Sequence, residues 1–358
     1  MVRSNPYVLQ FGQAPAQMIP RLSQAEEVRN AFLSDGLTQH IYMISGIRGA
    51  GKTVFMTKVS SYFNNNDWIT IHVNVSSQSS VIDQVFVHLA NDERLKKHSD
   101  ISSASLNLFG VGVQLSRNST ISSSEYEVMK LLKEADKKHL KILITIDEVT
   151  STTSIKEFAG AFQIWLRENL PVYLLLTGLY ENIRELQNDK SLTFLYRSPR
   201  IDLSPLQLSA IKDNYLLNLP VSPEEARDMS LNTEGYSFAF QALGYVVWKN
   251  QKYDQKAISE YRQILTDFSY DKIWNELSDN DQKVCYAIAE TDNGEYSAIR
   301  EILGWQNNQL NPYRKRLIDR RVITSRRRGY VSFTLPLFKD YLLDKKEEEN
   351  FEQKSLRD

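Results

Sequence analysis

The residues best suited to chemistry form a glycine-rich segment that matches the phosphate-binding pattern G-x-x-x-x-G-K-[ST]. Glycine lets the backbone wrap closely around a phosphate, and the N–H groups at the start of the next helix favour an anion. Lys52 is expected to reach the β- and γ-phosphates and the Thr53 hydroxyl to ligate Mg²⁺. This Walker A pattern therefore predicts a site for ATP and Mg²⁺, formed by Gly46, Ile47, Arg48, Gly49, Ala50, Gly51, Lys52 and Thr53.

An acidic pair follows the apolar run 141–146. A Mg²⁺-nucleotide needs a carboxylate beside the phosphate loop, so Asp147 is the Walker B candidate and a second Mg²⁺ ligand. Glu148 is placed to polarise the attacking water, an effect worth about 10² to 10⁴ in rate for general-base catalysis. A loop cap without chemistry is the alternative for such a pair, but the phosphate loop favours the catalytic interpretation.

Strands and helices must hold these residues in place. Short runs with apolar residues on both faces alternate with helical stretches such as 52–63, and this alternation predicts a parallel sheet covered on both sides. An N-terminal segment, 1–20, should precede an α/β domain over 21–205. Serine-rich flanks predict a hairpin insertion at 100–125. The predicted strands are 41–45, 68–75, 141–146 and 172–177.

The remainder of the chain has a helical pattern, which predicts a lid over 206–275 and a separate module over 276–344. Ser278 is a good N-cap for the first helix of this module. The charged tail 345–358 is expected to be frayed. Three helices followed by two strands are typical of a winged helix: 281–290, 296–303 and 309–319, then 322–325 and 330–334.

A basic surface is predicted on the third helix and the wing of this module. A helix of this kind docks in the major groove of double-stranded DNA while the wing reaches phosphates. A solvated basic face and a protein-docking winged helix are the alternatives. The candidate DNA-binding residues are Arg314, Lys315, Arg316, Arg326, Arg327 and Arg328.

Composition excludes several other classes of protein. With 358 residues, 42% hydrophobic and 24% charged, the chain can bury a core and should form several domains. No apolar run approaches the roughly 20 residues that span a bilayer, so a cytoplasmic protein without a membrane partner is expected. The single cysteine, Cys285, excludes an intrachain disulfide and a thiolate zinc cluster, and is expected in the core.

The phosphate loop, the Ile-Thr-Ile-Asp-Glu strand and the strand ending in Thr177 make the chain resemble AAA+ ATPases. The resemblance covers roughly residues 15 to 340 and is to the origin-recognition-like and related STAND or archaeal-type ATPases. It implies an α/β fold: a P-loop AAA+ three-layer domain with a central parallel sheet, a helical lid and a C-terminal winged-helix domain. It also implies ATP hydrolysis.

The resemblance assigns further catalytic residues. Thr177 matches the polar sensor that contacts the γ-phosphate, although a local hydrogen bond at the strand end is the alternative. Arg197 is the first candidate for an arginine finger acting in trans and Arg200 the second, against a surface or salt-bridge role for either. Phe11 and Met18–Arg21 resemble the segment that packs on adenine, or form an apolar staple under the sheet.

Two departures from the family bear on its function. Relatives often carry a Gly-x-Pro motif in the lid, where this chain has Ser237 in the proline's place, and the second sensor lacks an obvious arginine. Both argue against efficient hydrolysis more than against binding. The predicted function is an ATP-controlled switch that binds DNA. The alternatives are a STAND-type signalling ATPase that docks a protein partner, and a non-hydrolysing scaffold; a homo-oligomer is compatible with each.

Overall fold

The chain divides into two compact units in a computed structural model that describes residues 4–10, 15–34, 39–75, 79–96, 121–190 and 192–355. The first, here called the α/β unit, consists of Leu22–Ser45 and Lys52–Asp202. The second, the helical unit, consists of Met1–Arg21, Gly46–Gly51 and Leu203–Asp358. Within the described ranges, no helix is both long and apolar enough to cross a bilayer.

A five-stranded parallel sheet forms the centre of the α/β unit, with the strand order β2-β3-β4-β1-β5. Every residue of β1, β3 and β4 is buried, because helices cover both faces of the sheet. The predicted α/β fold with a central parallel sheet is therefore confirmed. The strands are β1 (Ile41–Ser45), β2 (Ile69–Val73), β3 (Ile142–Ile146), β4 (Val172–Gly178) and β5 (Arg200–Asp202).

The helices of this unit begin at polar caps where the sequence supplies them. Ser80 accepts a hydrogen bond from the Asp83 N–H at 3.1 Å, and Thr152 accepts one from the Ile155 N–H at 3.3 Å. The helices are α1 (Leu22–Leu33), α2 (Lys52–Asn64), α3 (Val81–Asn91), α4 (Glu93–Lys96), α5 (Ile121–Lys137), α6 (Thr153–Arg167), α7 (Tyr180–Asn188) and α8 (Thr193–Tyr196).

The hairpin predicted over 100–125 is wrong at its C-terminal end. Residues 121–125 form the first turns of helix α5, while 97–120 lie outside the described residues. The physical reason is helical periodicity: Val128, Leu131, Leu132 and Ala135 are buried at spacings of three and four, which favours continuing the helix back through the serines.

Five helices and a π-helical turn follow in the helical unit, over the region predicted as a lid. The N-terminal segment packs on these helices: Tyr7 is buried beside Phe240, and its hydroxyl donates to Asn214 Oδ1 at 2.9 Å. Phe11 lies outside the described residues. The elements are α9 (Leu208–Asn218), α10 (Pro223–Asn232), α11 (Ser237–Asn250), α12 (Gln255–Leu265), the π-helix Thr266–Tyr270 and α13 (Asp271–Asn275).

The C-terminal part of the helical unit has three helices, a short antiparallel hairpin and a last helix. Ser278 caps the first of these helices in a capping box with Asp281, as predicted. Cys285 is fully buried, which confirms it as core, and burial raises the pKa of its thiol. The elements are α14 (Asp279–Glu290), α15 (Tyr296–Leu303), α16 (Asn307–Asp319), β6 (Ile323–Thr324), β7 (Ser332–Phe333) and α17 (Phe338–Ser355).

The frayed tail predicted for 345–358 is wrong up to Ser355, because helix α17 continues that far. Its charged residues have partners on neighbouring helices. Lys345 Nζ lies 3.5 Å from Asp271 Oδ1, and the Tyr286 hydroxyl donates to Glu349 Oε1 at 2.9 Å. Lys345 and Glu349 therefore lie on the side of helix α17 that faces its neighbours.

Candidate nucleotide site and basic C-terminal surface

The phosphate loop leaves β1 through two left-handed glycines. Gly49 has φ +74° and Gly51 has φ +86°, a region that side chains rarely adopt. A β-carbon on Gly49 would lie 2.3 Å from the Tyr236 hydroxyl oxygen, so only glycine fits there. Left-handed residues within a turn direct successive N–H groups into an anion-binding concavity. The backbone of the loop therefore fits the predicted phosphate-binding role.

The carbonyl groups of the same loop are held by the start of α11. The Tyr236 hydroxyl donates to the Arg48 carbonyl at 2.7 Å, and the Ser237 hydroxyl donates to the Ala50 carbonyl at 3.1 Å. Burial raises the pKa of Tyr236, so its hydroxyl stays a donor at neutral pH. Ser237, noted in the sequence only as a departure from Gly-x-Pro, thus supplies a hydrogen bond that proline cannot make.

Two further contacts, one made by the loop and one beside it, were not predicted. The Arg48 guanidinium pairs with Glu276 at 2.7 Å between Nη2 and Oε1. Arg21 Nη2 donates to Ser237 Oγ at 3.2 Å, and burial lowers the pKa of Arg21 to about 10. These partners are separated by 228 and 216 residues, and no local pattern in the sequence marks them.

The α/β unit brings the predicted metal ligands together. Thr53, in the first turn of α2, donates its hydroxyl proton to Asp147 Oδ2 at 2.6 Å. Hydroxyl and carboxylate oxygens are the hard ligands that Mg²⁺ takes, usually with phosphate and water oxygens beside them. Lys52 begins the same helix. The donor set of Thr53 and Asp147 therefore fits Mg²⁺ bound together with a nucleotide.

Thr177 holds the Walker B carboxylate in place. Its hydroxyl donates to Asp147 Oδ1, the oxygen that Thr53 does not engage. The Val149 N–H donates to the Thr177 carbonyl at 2.8 Å, which ties the end of β3 to the end of β4. This geometry matches the local hydrogen bond considered for Thr177, so its direct role is to position Asp147. Contact with a γ-phosphate stays a prediction.

Glu148 stands exposed one residue beyond Asp147, in a left-handed conformation with φ +51°. Its N–H donates to Asp147 Oδ1 at 3.1 Å and to Thr177 Oγ1 at 3.2 Å. A non-glycine residue in this region costs on the order of 1 to 3 kcal/mol. The turn leaves the carboxylate accessible beside Asp147, as the predicted role of a base for water requires.

The two arginine-finger candidates differ in their surroundings. Arg197 is exposed and ends α8. Arg200, in β5, pairs with Asp202 at 3.0 Å between Nε and Oδ1, and lies over the Tyr180 ring at 4.6 Å. Arg200 therefore matches the salt-bridge alternative, and the exposed Arg197 matches the surface alternative; a finger role for Arg197 stays a prediction.

The basic residues of the C-terminal surface fall into two groups. Lys315 and the wing arginines, Arg326–Arg328, are exposed. Arg314 instead donates to the Tyr296 hydroxyl at 2.6 Å, and Arg316 pairs with Asp281 at 2.8 Å between Nη2 and Oδ2. The sequence did not indicate these partners, which give Arg314 and Arg316 a structural role within the module.

Arg316→Ala is expected to lower the free energy of unfolding. Asp281 is only 1% exposed, and losing the guanidinium would leave its charge buried and unpaired. Because Arg316 itself is 43% exposed, solvent screening reduces the effect to about 1 to 2 kcal/mol. Urea unfolding followed by circular dichroism measures it. Arg328→Ala, which removes an exposed arginine, is the control; equal stability of the two variants would contradict a structural role for Arg316.

Comparisons with known proteins identify structures of similar fold. A family model described as a domain of unknown function, DUF8462, matches residues 268–342, and no curated protein matches the sequence. A Walker-type ATPase of Pyrococcus abyssi is 15% identical, with a TM-score of 0.61 over 91% of this chain and 96% of that one. The ORC2 protein of Aeropyrum pernix, in ADPNP–ADP complexes, is 12% identical, with a TM-score of 0.58 over 95% of this chain and 98% of that one. The chain therefore shares the fold of these two proteins, as the resemblance to origin-recognition-like AAA+ ATPases predicted.

Proposed function

We propose that this protein binds ATP with Mg²⁺ and acts as an ATP-controlled switch. The observation that carries the proposal is the hydrogen-bonded set Thr53, Asp147 and Thr177, in which both oxygens of one carboxylate are held. The left-handed glycines of the phosphate loop and the ADPNP–ADP complexes of the Aeropyrum pernix protein support it. Calorimetric titration with MgATP is the direct test.

Hydrolysis is assigned to Glu148. Bound Mg²⁺ would neutralise charge on the phosphates. The exposed Glu148 carboxylate would accept a proton from the attacking water, while Thr177 keeps Asp147 oriented toward the metal. Arg197 would complete the site of an adjacent copy in a homo-oligomer. Turnover should then rise with protein concentration, because each active site needs an arginine from a second chain.

The C-terminal module is proposed to be a winged helix that binds double-stranded DNA. Exposed side chains on one face of α16, Asn308, Asn311 and Lys315, follow helical spacing and would approach base edges, where an amide pairs well with adenine. The wing arginines Arg326–Arg328 would contact phosphates. Arg314 and Arg316 would support this surface from within the module rather than touch DNA.

Replacing all three wing arginines by alanine is expected to weaken DNA binding uniformly across sequences. Each lost phosphate contact should lower the slope of log K against log salt by about 0.9, giving a total of roughly 2 to 3. Fluorescence anisotropy with random and selected duplexes over a salt series measures both quantities. The matched control replaces Lys249, Lys252 and Lys256, which removes the same charge from a different surface of the helical unit.

The control separates local contact from the loss of net charge. Equal slopes for the two triple variants would mean that the wing makes no phosphate contacts. If the unaltered protein is not retained on duplex DNA at about 50 mM salt, with or without ATP, the DNA proposal fails. A signalling ATPase of the STAND type, docking a protein through the same module, is then the better assignment.

A further inference from the structure

One residue of the helical unit, Glu276, touches both the phosphate loop and the last turn of α16. Its carboxylate pairs with Arg48, the third residue of the loop, at 2.7 Å. Its carbonyl oxygen accepts a hydrogen bond from Arg320 Nη1 at 3.0 Å. Arg320 is the C-cap of α16, the helix assigned to DNA. Side chain and backbone of a single residue therefore contact these two functional segments.

We propose that Glu276 is a positioning residue that passes the occupancy of the phosphate loop to the end of α16. The inference rests on the proposed ATP binding and not on DNA binding. It explains how a nucleotide could control the C-terminal module without touching it: the bound phosphate and Glu276 compete for Arg48, and a change at Glu276 alters the contact that Arg320 makes with its carbonyl.

The geometry of Arg48 favours such competition. Its backbone is fixed, because the Tyr236 hydroxyl donates to its carbonyl at 2.7 Å. Its Nε is buried and has no hydrogen-bond partner, so the pair with Glu276 leaves the guanidinium only partly satisfied. A phosphate offers several acceptor oxygens and binds guanidinium through two parallel hydrogen bonds. Exchange of the Arg48 side chain between Glu276 and a bound phosphate is therefore enough for the proposed competition, and the loop backbone need not move.

The ion pair is weak enough to be exchanged. The Arg48 and Glu276 side chains are 17% and 35% exposed, and solvent-screened pairs of this kind contribute little to stability. Glu276 therefore holds Arg48 in one position, and a more highly charged ligand can replace Glu276 as its partner.

The test measures amide hydrogen exchange with and without saturating MgATP, with ATP affinity determined by calorimetry on the same samples. The peptide 317–324 reports on the end of α16, where the Arg320, Arg321 and Val322 N–H groups donate to the Arg316, Ile318 and Leu317 carbonyls. In the unaltered protein, ATP should change exchange in this peptide by about threefold or more. The change reports on coupling whether or not DNA binds.

Two variants break the two contacts separately. Glu276→Gln should abolish the exchange response and tighten ATP binding by about two- to fivefold, because Arg48 is no longer held by a charge. Arg320→Gln should also abolish the response. Because coupling is reciprocal, it should change ATP affinity as well, but less than Glu276→Gln does, since the Arg48 pair stays intact. Glu301→Gln, an exposed acid on α15, carries the same charge change as Glu276→Gln and should behave like the unaltered protein.

Each other outcome is decisive. If ATP binds but exchange in 317–324 does not change, the coupling is overturned while the proposed ATP binding stands. If Glu276→Gln keeps the response, Glu276 is an ordinary structural residue; if that variant does not fold, Arg320→Gln carries the same test. If calorimetry finds no ATP binding at all, the proposed function itself fails, and this inference with it.

Discussion

Lys52→Ala is expected to weaken ATP binding by roughly 10- to 150-fold and to leave the protein folded. Lys52 is the side chain at the helix start placed to neutralise the β- and γ-phosphates. A hydrogen bond to a charged group contributes about 1.5 to 3 kcal/mol, and each 1.4 kcal/mol is about tenfold in affinity. Calorimetric titration with MgATP measures the loss.

The same helix supplies the control for this variant. Lys58 is exposed on α2, and Lys58→Ala removes an equal charge without touching the phosphate loop. Its ATP affinity should match that of the unaltered protein. Lys52 is only 8% exposed, so thermal unfolding must first show that both variants fold. Unchanged affinity in a folded Lys52→Ala protein would mean that this loop is not the nucleotide site.

The sheet was predictable because its signal is local and redundant. In β1, β3 and β4 every residue is buried, so each strand appears in the sequence as a mostly apolar run. The edge strand β2 was predicted too long, as 68–75 instead of 69–73, because Trp68 and Val75 extend the alternating pattern beyond the hydrogen-bonded ladder. The candidate residues at the strand ends were predictable for the same reason, since Asp147 follows one apolar run and Thr177 lies near the end of the next.

Contacts between residues distant in the chain were not predictable. Tyr236, Glu276 and Asp281 are ordinary residue types at positions with no distinctive spacing, yet they hold Arg48 and Arg316. A run of arginines indicates positive charge, but it does not say which members already have an anionic partner. Only the folded arrangement separates Arg316, which is paired with a buried acid, from the exposed arginines of the wing.

For the acidic pair, Asp147 and Glu148, the sequence predicts the roles and the structure adds the contacts that fix their geometry. Sequence alone assigned Asp147 to the metal and Glu148 to water, and left Thr177 between a sensor and a local hydrogen bond. The structure ties Asp147 to Thr53 and Thr177, one through each carboxylate oxygen, so the orientation of this carboxylate is fixed. The Glu148 side chain is exposed, which fits its proposed role in proton transfer.

Glu148→Gln is expected to reduce kcat for ATP hydrolysis by about 10²- to 10⁴-fold, the usual contribution of a general base. Glutamine keeps the size of the side chain and leaves the backbone bonds to Asp147 and Thr177 in place, so the turn at φ +51° should survive. ATP affinity should therefore change little. Phosphate release under saturating MgATP measures turnover, and calorimetry measures binding.

Glu157→Gln is the matched control, because Glu157 is an exposed acid on α6 whose replacement changes the charge equally. It should hydrolyse ATP at the rate of the unaltered protein. The assay must include DNA and high protein concentration, since an Arg197 finger would act only from an adjacent chain. If the unaltered protein then binds ATP but releases no phosphate, Glu148 has no catalytic part. Binding alone would drive the switch, and the strained turn would serve only to tie the ends of β3 and β4 together.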